Sequence, residues 1–299
     1  LQSVLTINLR QNAVFVGKPL SGKSTALMSV ILGASMMYSP ERVQFYCLDA
    51  GGGYLGAVKD LAHVGDVVAG TGNVYGIERV LNHVQRLLRL WSCSWAAAQI
   101  YDPDTWRRRR FGGEAGEVPD DGYGDVYLVV DGADTLCHAF PHHKDTLLAL
   151  AEQAPSYGIH VVLSARSWNG AGMHKFWEVI TNWTEMKLTD VTDSTMGRAC
   201  ADAVPEFPGR ALISASGAGG ARKDSIAAVY SSTDSIPPDP AWHVLFGSPM
   251  VETGGGELLD TAASCRHINA LHAGQAPARR IPVLGNHVGL GSLAARPGW

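Results

Sequence analysis

Short apolar runs recur along the chain, and each one ends near a polar residue or a glycine. They predict β-strands, and because their apolar residues are continuous rather than alternating, they are typical of strands covered on both faces of a sheet. The predicted strands are Ala13–Val16, Val43–Leu48, Val126–Val130 and His160–Leu163, with weaker signals at Glu185–Leu188 and Ala211–Ile213.

Two segments between these strands repeat apolar residues at helical spacing. Thr25–Tyr38 carries Leu27, Val30 and Ile31 on that spacing, and Ile77–Leu90 repeats apolar residues three and four positions apart. Alternation of strands and helices along a chain indicates an α/β fold. We therefore predict a mostly parallel sheet with helices on both of its faces.

Two stretches interrupt this alternation. Trp95–Gly124 is polar, contains the basic run Arg107–Arg110, and is predicted to be a long surface excursion whose charge is partly neutralised by nearby acidic residues. Further along, the chain becomes rich in Pro and Gly, with one predicted helix near Leu258–Leu271. We therefore predict an α/β domain at residues 1–235 and a C-terminal extension or interdomain linker at residues 236–299.

Composition narrows the class of protein. The chain has 299 residues, of which 46% are hydrophobic and 17% charged, as in an ordinary folded protein. A formal net charge of -4 provides no general attraction for nucleic acid. Five cysteines without a CxxC pair fit a reducing cytosol, and no apolar stretch is long enough to cross a bilayer. His142 and His143 lack the spacing and companions of a metal site, so both are predicted to be surface residues.

The segment after the first predicted strand carries the chemistry. Gly17–Ser24 matches the pattern GxxxxGKS without a gap, between a strand and a helix. In such a loop Lys23 reaches the β- and γ-phosphates of a nucleotide, the Ser24 hydroxyl ligates Mg²⁺, and Gly22 lets the backbone approach closely. We therefore predict a P-loop NTPase fold, with ATP and Mg²⁺ as cofactors. The predicted cofactor-binding residues are Gly17, Lys18, Pro19, Leu20, Ser21, Gly22, Lys23, Ser24 and Thr25.

Asp131 follows the predicted strand Val126–Val130, at the edge of the sheet where ligands bind. It is the predicted Mg²⁺ carboxylate beside Ser24, although an acidic residue at such a corner can also simply cap the chain that follows. Many P-loop ATPases place an acidic residue next, to orient the attacking water, but here that residue is Gly132. Asp134 could substitute, but a helical or turn geometry would point it elsewhere. The hypothesis is tight ATP binding with slow hydrolysis.

Polar residues after neighbouring strands are further candidates. Ser164 ends a strand predicted to lie between the loop strand and the Asp131 strand, where its side chain could sense the γ-phosphate. Arg166 could contact phosphate or a neighbouring subunit, or be a solvated surface residue. Asp49 could face the same crevice, whereas Gly51–Gly53 could simply form a turn. Ser164 and Arg166 are therefore catalytic candidates, although the predicted site has no intact set of catalytic residues.

Longer segments extend the pattern beyond the loop. They are GKPLSGKST at Gly17–Thr25, FYCLDAGGG at Phe45–Gly53, DGYGDVYLVVDG at Asp121–Gly132, YGIHVVLSARSW at Tyr157–Trp168 and PGRAL at Pro208–Leu212. With these segments the chain resembles, over most of its length, the ATPase modules of EccC, the FtsK/SpoIIIE-type ATPase of bacterial type VII (ESX) secretion. Ala50, where an aromatic residue is expected, and the small residues of Ser167–His174 depart from that family.

The resemblance implies a RecA/FtsK-like form of the P-loop NTPase fold, and an ATP-binding module within a chain of several ATPase modules. Such a module is cytoplasmic. It is held at the inner face of the cell membrane by a transmembrane part that lies outside this chain, and it assembles into hexamers. Its implied partners are other ATPase modules of the same or a companion chain, secreted WxG-type helical-hairpin proteins and the membrane secretion complex. The pair Asp131 and Gly132 resembles the non-leading modules, and Ala276–Leu284 resembles a linker into a next ATPase, which favours an internal, second-type module.

Two other functions stay open at this point. An active FtsK-like DNA-translocating motor would need an intact catalytic carboxylate and a basic channel. Gly132 and the net charge of -4 argue against it, so DNA is not a predicted partner. A receptor surface for secreted substrates would need an exposed apolar groove, which the sequence does not locate.

Overall fold

The computed structural model describes residues 10–169, 172–206, 208–215, 223–228 and 260–283. Its strands are β1 (Ala13–Val16), β2 (Val43–Asp49), β3 (Val64–Ala69), β4 (Asp125–Asp131), β5 (Ile159–Ala165), β6 (Asn182–Met186), β7 (Arg210–Ala215) and β8 (Lys223–Ala228). Its α-helices are α1 (Lys23–Met37), α2 (Val74–Ala97), α3 (Pro103–Phe111), α4 (Ala133–Ala139), α5 (Pro141–Gln153), α6 (His174–Val179), α7 (Arg198–Ala203) and α8 (Thr261–Leu271).

The strands of the described residues form one sheet in the order β3-β2-β4-β5-β1-β6-β7-β8. Neighbouring strands from β3 to β6 are parallel, whereas the pairs β6–β7 and β7–β8 are antiparallel. The sheet is therefore mostly parallel, as predicted. The carboxyl ends of β1, β5 and β4 lie side by side at one edge of the sheet, where open α/β sheets bind ligands.

Alternate residues of the strands face opposite sides of the sheet and pack against different helices. Val14 of β1 belongs to a core that contains Ile77 of α2 and Leu147 of α5. Phe15, the next residue, belongs to a second core that contains Leu27 of α1. Helices therefore cover both faces, as predicted, and this explains why the strands read as continuous apolar runs. None of the described helices combines the length and the apolar character needed to cross a bilayer.

The predicted surface excursion at Trp95–Gly124 is confirmed for most of its length, since among residues 96–122 only Ile100 and Trp106 are buried, but the segment is not a plain loop. The segment holds the end of α2 and all of α3, which Asp102 caps by accepting a hydrogen bond of 2.8 Å from the Thr105 backbone N–H. Trp106 is 2% exposed and stacks on Trp95 with 5.5 Å between ring centroids. Because a few indole rings anchor an otherwise polar segment, periodicity alone does not reveal its packing.

The predicted neutralisation of the basic run is confirmed. Arg107 forms ion pairs with Asp125 at 2.5 Å and with Asp104 at 2.8 Å. Arg108 forms another with Glu114 at 2.7 Å. Much of the positive charge of this run is therefore compensated by carboxylates of the same domain.

Two strands differ from their predictions. The strand predicted at Glu185–Leu188 begins earlier, as β6, because Asn182 and Thr184 are polar but buried, with 9% and 2% exposure. The strand β3 has no predicted counterpart, since Gly65 and Asp66 interrupt its apolar residues. Polar residues inside strands hide them from a search for apolar runs.

The C-terminal helix α8 corresponds to the helix predicted near Leu258–Leu271. Asp260 caps it by accepting a hydrogen bond of 2.7 Å from the Ala263 backbone N–H. The helix packs beside α1, and Ile268 is fully buried there. The predicted domain boundary between residues 235 and 236 lies outside the described residues.

The chain after α8 runs along the side of the sheet formed by β2 and β3. The Tyr46 hydroxyl of β2 donates to the Arg279 carbonyl at 2.7 Å, and the Ala278 N–H donates to the Ala62 carbonyl at 2.7 Å. Ala278 is 3% exposed. The described part of the predicted extension is therefore packed against the α/β domain.

Candidate nucleotide-binding site

The loop between β1 and α1 is tied at its start to the strands on either side. The Gly17 N–H donates to the Ala165 carbonyl at 3.1 Å, and the Lys18 N–H donates to the Lys187 carbonyl at 2.7 Å. The loop then turns through Gly22, whose φ of 106° lies in the left-handed region and whose added Cβ would meet the Gly209 backbone at 3.0 Å. Gly22 is therefore needed both for the turn and for close packing.

The N-terminus of α1 presents backbone donors at the carboxyl edge of the sheet. The first hydrogen bond of the helix runs from the Ala26 N–H to the Gly22 carbonyl at 2.9 Å. The N–H groups of residues 22–25 precede this bond and have no backbone acceptor within the described part of the chain. Unpaired N–H groups and the helix dipole together favour an anion such as a phosphate.

Lys23 directs its ammonium group into the same loop. Its Nζ donates to the carbonyls of Gly17 and Lys18, both at 2.8 Å, and it forms no ion pair among the described residues. Burial lowers the pKa of Lys23, while the carboxylates of Asp131 and Asp134 oppose that shift. A partly buried cation held only by neutral carbonyls fits a phosphate group.

Ser24 and Asp131 come together across the loop. The Ser24 hydroxyl donates to Asp131 Oδ2 at 2.6 Å, and Asp131 is 2% exposed. A hydroxyl and a carboxylate are the ligands that Mg²⁺ takes beside nucleotide phosphates. These residues therefore fit a metal-bound nucleotide, in which Ser24 and Asp131 would hold the metal and the loop would hold the phosphates.

Ser164 forms a hydrogen bond with Asp131, the predicted metal ligand, rather than facing open space. Its hydroxyl donates a short hydrogen bond to Asp131 Oδ1 and accepts one of 2.8 Å from the Gly132 N–H. Ser164 is fully buried. The hydroxyl is thus already engaged in orienting Asp131, and its predicted part in sensing a γ-phosphate stays a prediction.

Asp49 closes the glycine turn after β2. Its Oδ1 accepts from the N–H groups of Gly51–Gly53 at 3.0–3.2 Å, and its Oδ2 accepts from the Leu55 N–H at 2.8 Å. The turn is therefore confirmed. It also borders the site, because an added Cβ at Gly51 would lie 3.0 Å from Asp131 Cγ.

Gly132 occupies the position after Asp131 with a left-handed backbone. Its φ is 75°, and an added Cβ would meet the Gly51 nitrogen at 3.0 Å and the Ala50 carbonyl carbon at 3.1 Å. An L-residue is therefore disfavoured here by both its backbone angle and its neighbours.

Asp134 of α4 is buried next to the site. Its Oδ2 accepts a hydrogen bond of 2.7 Å from Arg166 Nε, and its Oδ1 is buried without a partner in the described structure. The Arg166 side chain is 61% exposed, so it forms a surface ion pair with a buried carboxylate. Asp134 is thus turned toward Arg166, although its charge still acts on Lys23.

One residue at the site was missed by the sequence argument. Glu206 forms an ion pair with Lys18 of the loop, and the neighbouring Gly209 N–H donates to the Ser21 carbonyl at 2.8 Å. Glu206 and Gly209, which precede β7, therefore both contact the loop. The PGRAL segment was the available signal, since it begins at Pro208.

The fold and this site define the class. P-loop NTPases combine a mostly parallel sheet with a GxxxxGKS loop after one strand and an aspartate after another, and this chain has all three features. The chain belongs to the FtsK/SpoIIIE family, because the model of that family matches residues 2–219. Membership of this family of P-loop ATPases implies nucleotide binding with a divalent metal ion.

Relatives of this chain include proteins of ESX secretion systems. The ESX-5 secretion system protein EccC5 of Mycobacterium tuberculosis is 32% identical over 283 residues, which are 91% of this chain and 18% of that protein. The ESX secretion system protein EccC of Thermomonospora curvata is 37% identical over 197 residues, 66% of this chain and 15% of that protein. The resemblance to EccC modules is therefore confirmed, and the chain spans less than a fifth of the length of these relatives.

Solved structures give the same result. Thermomonospora curvata EccC (ATPases 2 and 3) in complex with a signal sequence peptide has a TM-score of 0.77 and 29% sequence identity to this chain. The match covers 94% of this chain and 46% of that one. The fold of this chain is therefore that of an EccC ATPase domain.

Proposed function

We propose that this chain is the ATP-binding module of a type VII secretion ATPase, and that it binds Mg·ATP tightly with weak or no hydrolysis. The proposal of Mg·ATP binding rests on one observation: Lys23, Ser24 and Asp131 lie together at the N-terminus of α1. Backbone donors, an ammonium group, a hydroxyl and a carboxylate are the groups that P-loop proteins use to bind the phosphates and the metal ion of a nucleoside triphosphate.

The proposal of weak hydrolysis is supported by the surroundings of Gly132, the position at which many P-loop ATPases place the acidic residue that orients the attacking water. Gly132 offers no side chain, and an added Cβ would lie only 3.0 Å from the Gly51 nitrogen, so the neighbouring backbone would have to shift to admit one. The Ser164 hydroxyl is bonded to Asp131, and Asp134 is held by Arg166. Within the described site, none of these groups is poised as a general base.

The wider role is proposed from the relatives. The module would work beside other ATPase modules of the same or a companion chain, as a second-type module followed by a linker. It would assemble into hexamers at the inner face of the cell membrane and support the export of small WxG-type proteins. The proposed division of the chain is an ATPase domain at 1–235 and an extension or linker at 236–299.

The competing motor hypothesis has less support in the structure. A DNA-translocating ATPase needs a catalytic carboxylate and a basic channel, whereas much of the Arg107–Arg110 charge is taken up by carboxylates of the domain. A turnover on the order of 10 s⁻¹ or more would favour the motor.

The binding proposal is tested on protein purified without added nucleotide. After denaturation the released nucleotide is identified, and the stripped protein is then titrated with Mg·ATP by calorimetry. We expect ATP rather than ADP, and saturable binding that Lys23→Ala weakens by about 100-fold, because charged hydrogen bonds to phosphate are lost.

Lys59→Ala is the matched control, since Lys59 is exposed outside the loop, and it should bind like the wild type. Absence of binding heat in stripped wild-type protein, or equal binding by Lys23→Ala, would refute nucleotide binding. Recovery of ADP with sustained turnover would retain nucleotide binding and refute the weak hydrolysis.

A further inference from the structure

Two histidines at the start of α5 lie beside a glutamate of α2, away from the nucleotide loop in sequence. Both were predicted to be surface residues, which is correct for His142 but wrong for His143, whose exposure is 5%. Glu78, in the early part of α2, is exposed next to them. The fold therefore brings a third possible metal ligand, Glu78, next to His142 and His143, which the sequence alone did not provide.

The donor atoms of these residues converge. A nitrogen of each imidazole and a carboxylate oxygen of Glu78 all lie within 4.8 Å of one another. The two imidazole rings are 3.9 Å apart between centroids. Zinc bonds of about 2.0–2.1 Å in a tetrahedron place ligand atoms roughly 3.4 Å apart, so only a small closure is needed. Glu78 and His142 are exposed and can rotate to provide it.

His143 supplies an independent sign of a missing ligand. Its Nε2 is buried and has no hydrogen-bond partner in the described structure. A buried polar atom is normally paired, so an unpaired imidazole nitrogen calls for a donor or a metal ion.

We propose that Glu78, His142 and His143 bind one divalent transition-metal ion, for which Zn²⁺ is the best fit, with water in the remaining position. Imidazole nitrogens select Zn²⁺ over Mg²⁺, so this site differs in chemistry from the hydroxyl and carboxylate pair of the nucleotide loop.

The ion would link helices α2 and α5, which belong to two different connections between parallel strands. The helix α2 lies between β3 and β4 in the chain, α5 lies between β4 and β5, and both pack on the same face of the sheet through residues such as Ile77 and Leu147. A metal bound between the starts of these helices stabilises their packing, because it binds only when both are in place.

The experiment titrates Zn²⁺ onto tag-free protein that has been treated with a chelator. It uses a Cys93→Ser background, which removes an exposed thiol, and it contains no nucleotide. We expect one ion per chain and a rise in melting temperature. Glu78→Gln and His142→Ala should each weaken binding more than about tenfold, since even indirect partners of a metal site have effects of that size.

His174→Ala is the matched control, because His174 is an exposed histidine outside the cluster. It should bind like the wild type, and so should Lys23→Ala, whose defect is confined to the nucleotide loop. Because Glu78 and His142 are exposed, their variants test the site even if His143→Ala fails to fold. No binding by the background protein, unchanged binding in His142→Ala, or an equal loss in His174→Ala overturns the proposal.

Discussion

Gly132 shows how one residue shapes the chemistry of the site through its backbone. Its N–H is held by the Ser164 hydroxyl at 2.8 Å, and its φ of 75° turns the chain into α4. The Gly51 nitrogen closes the space where a Cβ would stand. An acidic side chain therefore cannot be restored here by substitution alone, because the backbone and its neighbours would also have to move.

Replacing Gly132 by alanine should lower the free energy of unfolding by about 1–2 kcal/mol or more, since an L-residue is strained at this φ. Denaturant unfolding of the nucleotide-free protein measures it. The matched control is Gly33→Ala, in the open interior of α1, which should stabilise by about 0.5–1 kcal/mol. Gly132→Glu should gain no hydrolysis. A Gly132→Ala protein as stable as the wild type would contradict the assignment of strain.

At the scale of elements, helix α8 forms part of the core although it lies far from that core in the chain. Cys265 and Ile268 belong to the same cluster as Leu27 of α1. Asn269 fixes the helix from the other side, because its Oδ1 accepts from the Ala62 N–H at 2.7 Å and its Nδ2 donates to the Asp60 carbonyl at 2.9 Å. The α/β domain and this helix are therefore expected to unfold together.

Ile268→Ala should destabilise the protein by about 2–5 kcal/mol, because it leaves a cavity between α8 and α1. Leu271→Ala on the same helix is the matched control, since Leu271 is 55% exposed, and it should change stability by less than about 0.5 kcal/mol. Thermal unfolding compares the two variants. Equal, small effects would show that α8 adds little to the domain.

At the scale of the whole molecule, the end of α1, the start of β3 and the end of α8 meet around His63. Its Nε2 donates to the Tyr38 carbonyl at 2.7 Å, and its ring contacts that of His272 at 5.0 Å between centroids. His272 in turn donates to the Ser35 carbonyl at 3.0 Å. A charge on His63 would therefore disturb the packing of the C-terminal segment.

Acid should weaken the fold through this residue. Burial lowers the pKa of His63 from 6.5 to about 4, with a further lowering by His272 and an opposing effect of the Tyr38 carbonyl. Because the unfolded state takes up the proton first, the stability is fully present above about pH 6.5 and falls as the pH decreases toward 4, by at most about 1.4 kcal/mol per pH unit. Burial also lowers the pKa of His83 to about 4, which adds to the effect.

Urea unfolding at several pH values measures this slope. His63→Gln should reduce it, whereas His174→Gln, at an exposed position, should leave it unchanged. If the stability of the His63→Gln protein depended on pH as steeply as that of the wild type, His63 would not be a cause of the acid destabilisation.

The sequence by itself determined the features that lie within short segments. The pattern of the loop Gly17–Ser24 is contiguous in the sequence, because the phosphate-binding backbone, Lys23 and Ser24 follow one another closely, so it can be recognised without knowledge of distant contacts. The central strands were also predictable, since burial on both faces makes them continuous apolar runs. The absence of an acidic residue at Gly132 was equally visible.

Only the tertiary structure decided which distant residues meet. Ser164 orients Asp131 because β5 and β4 are neighbours in the sheet, and this order results from burial summed over the whole domain. The ion pair of Arg166 with the buried Asp134 and the position of Glu78 beside two histidines likewise depend on the tertiary structure. The left-handed backbone of Gly132 also needed the structure, because a glycine accepts either sign of φ and its neighbours select one.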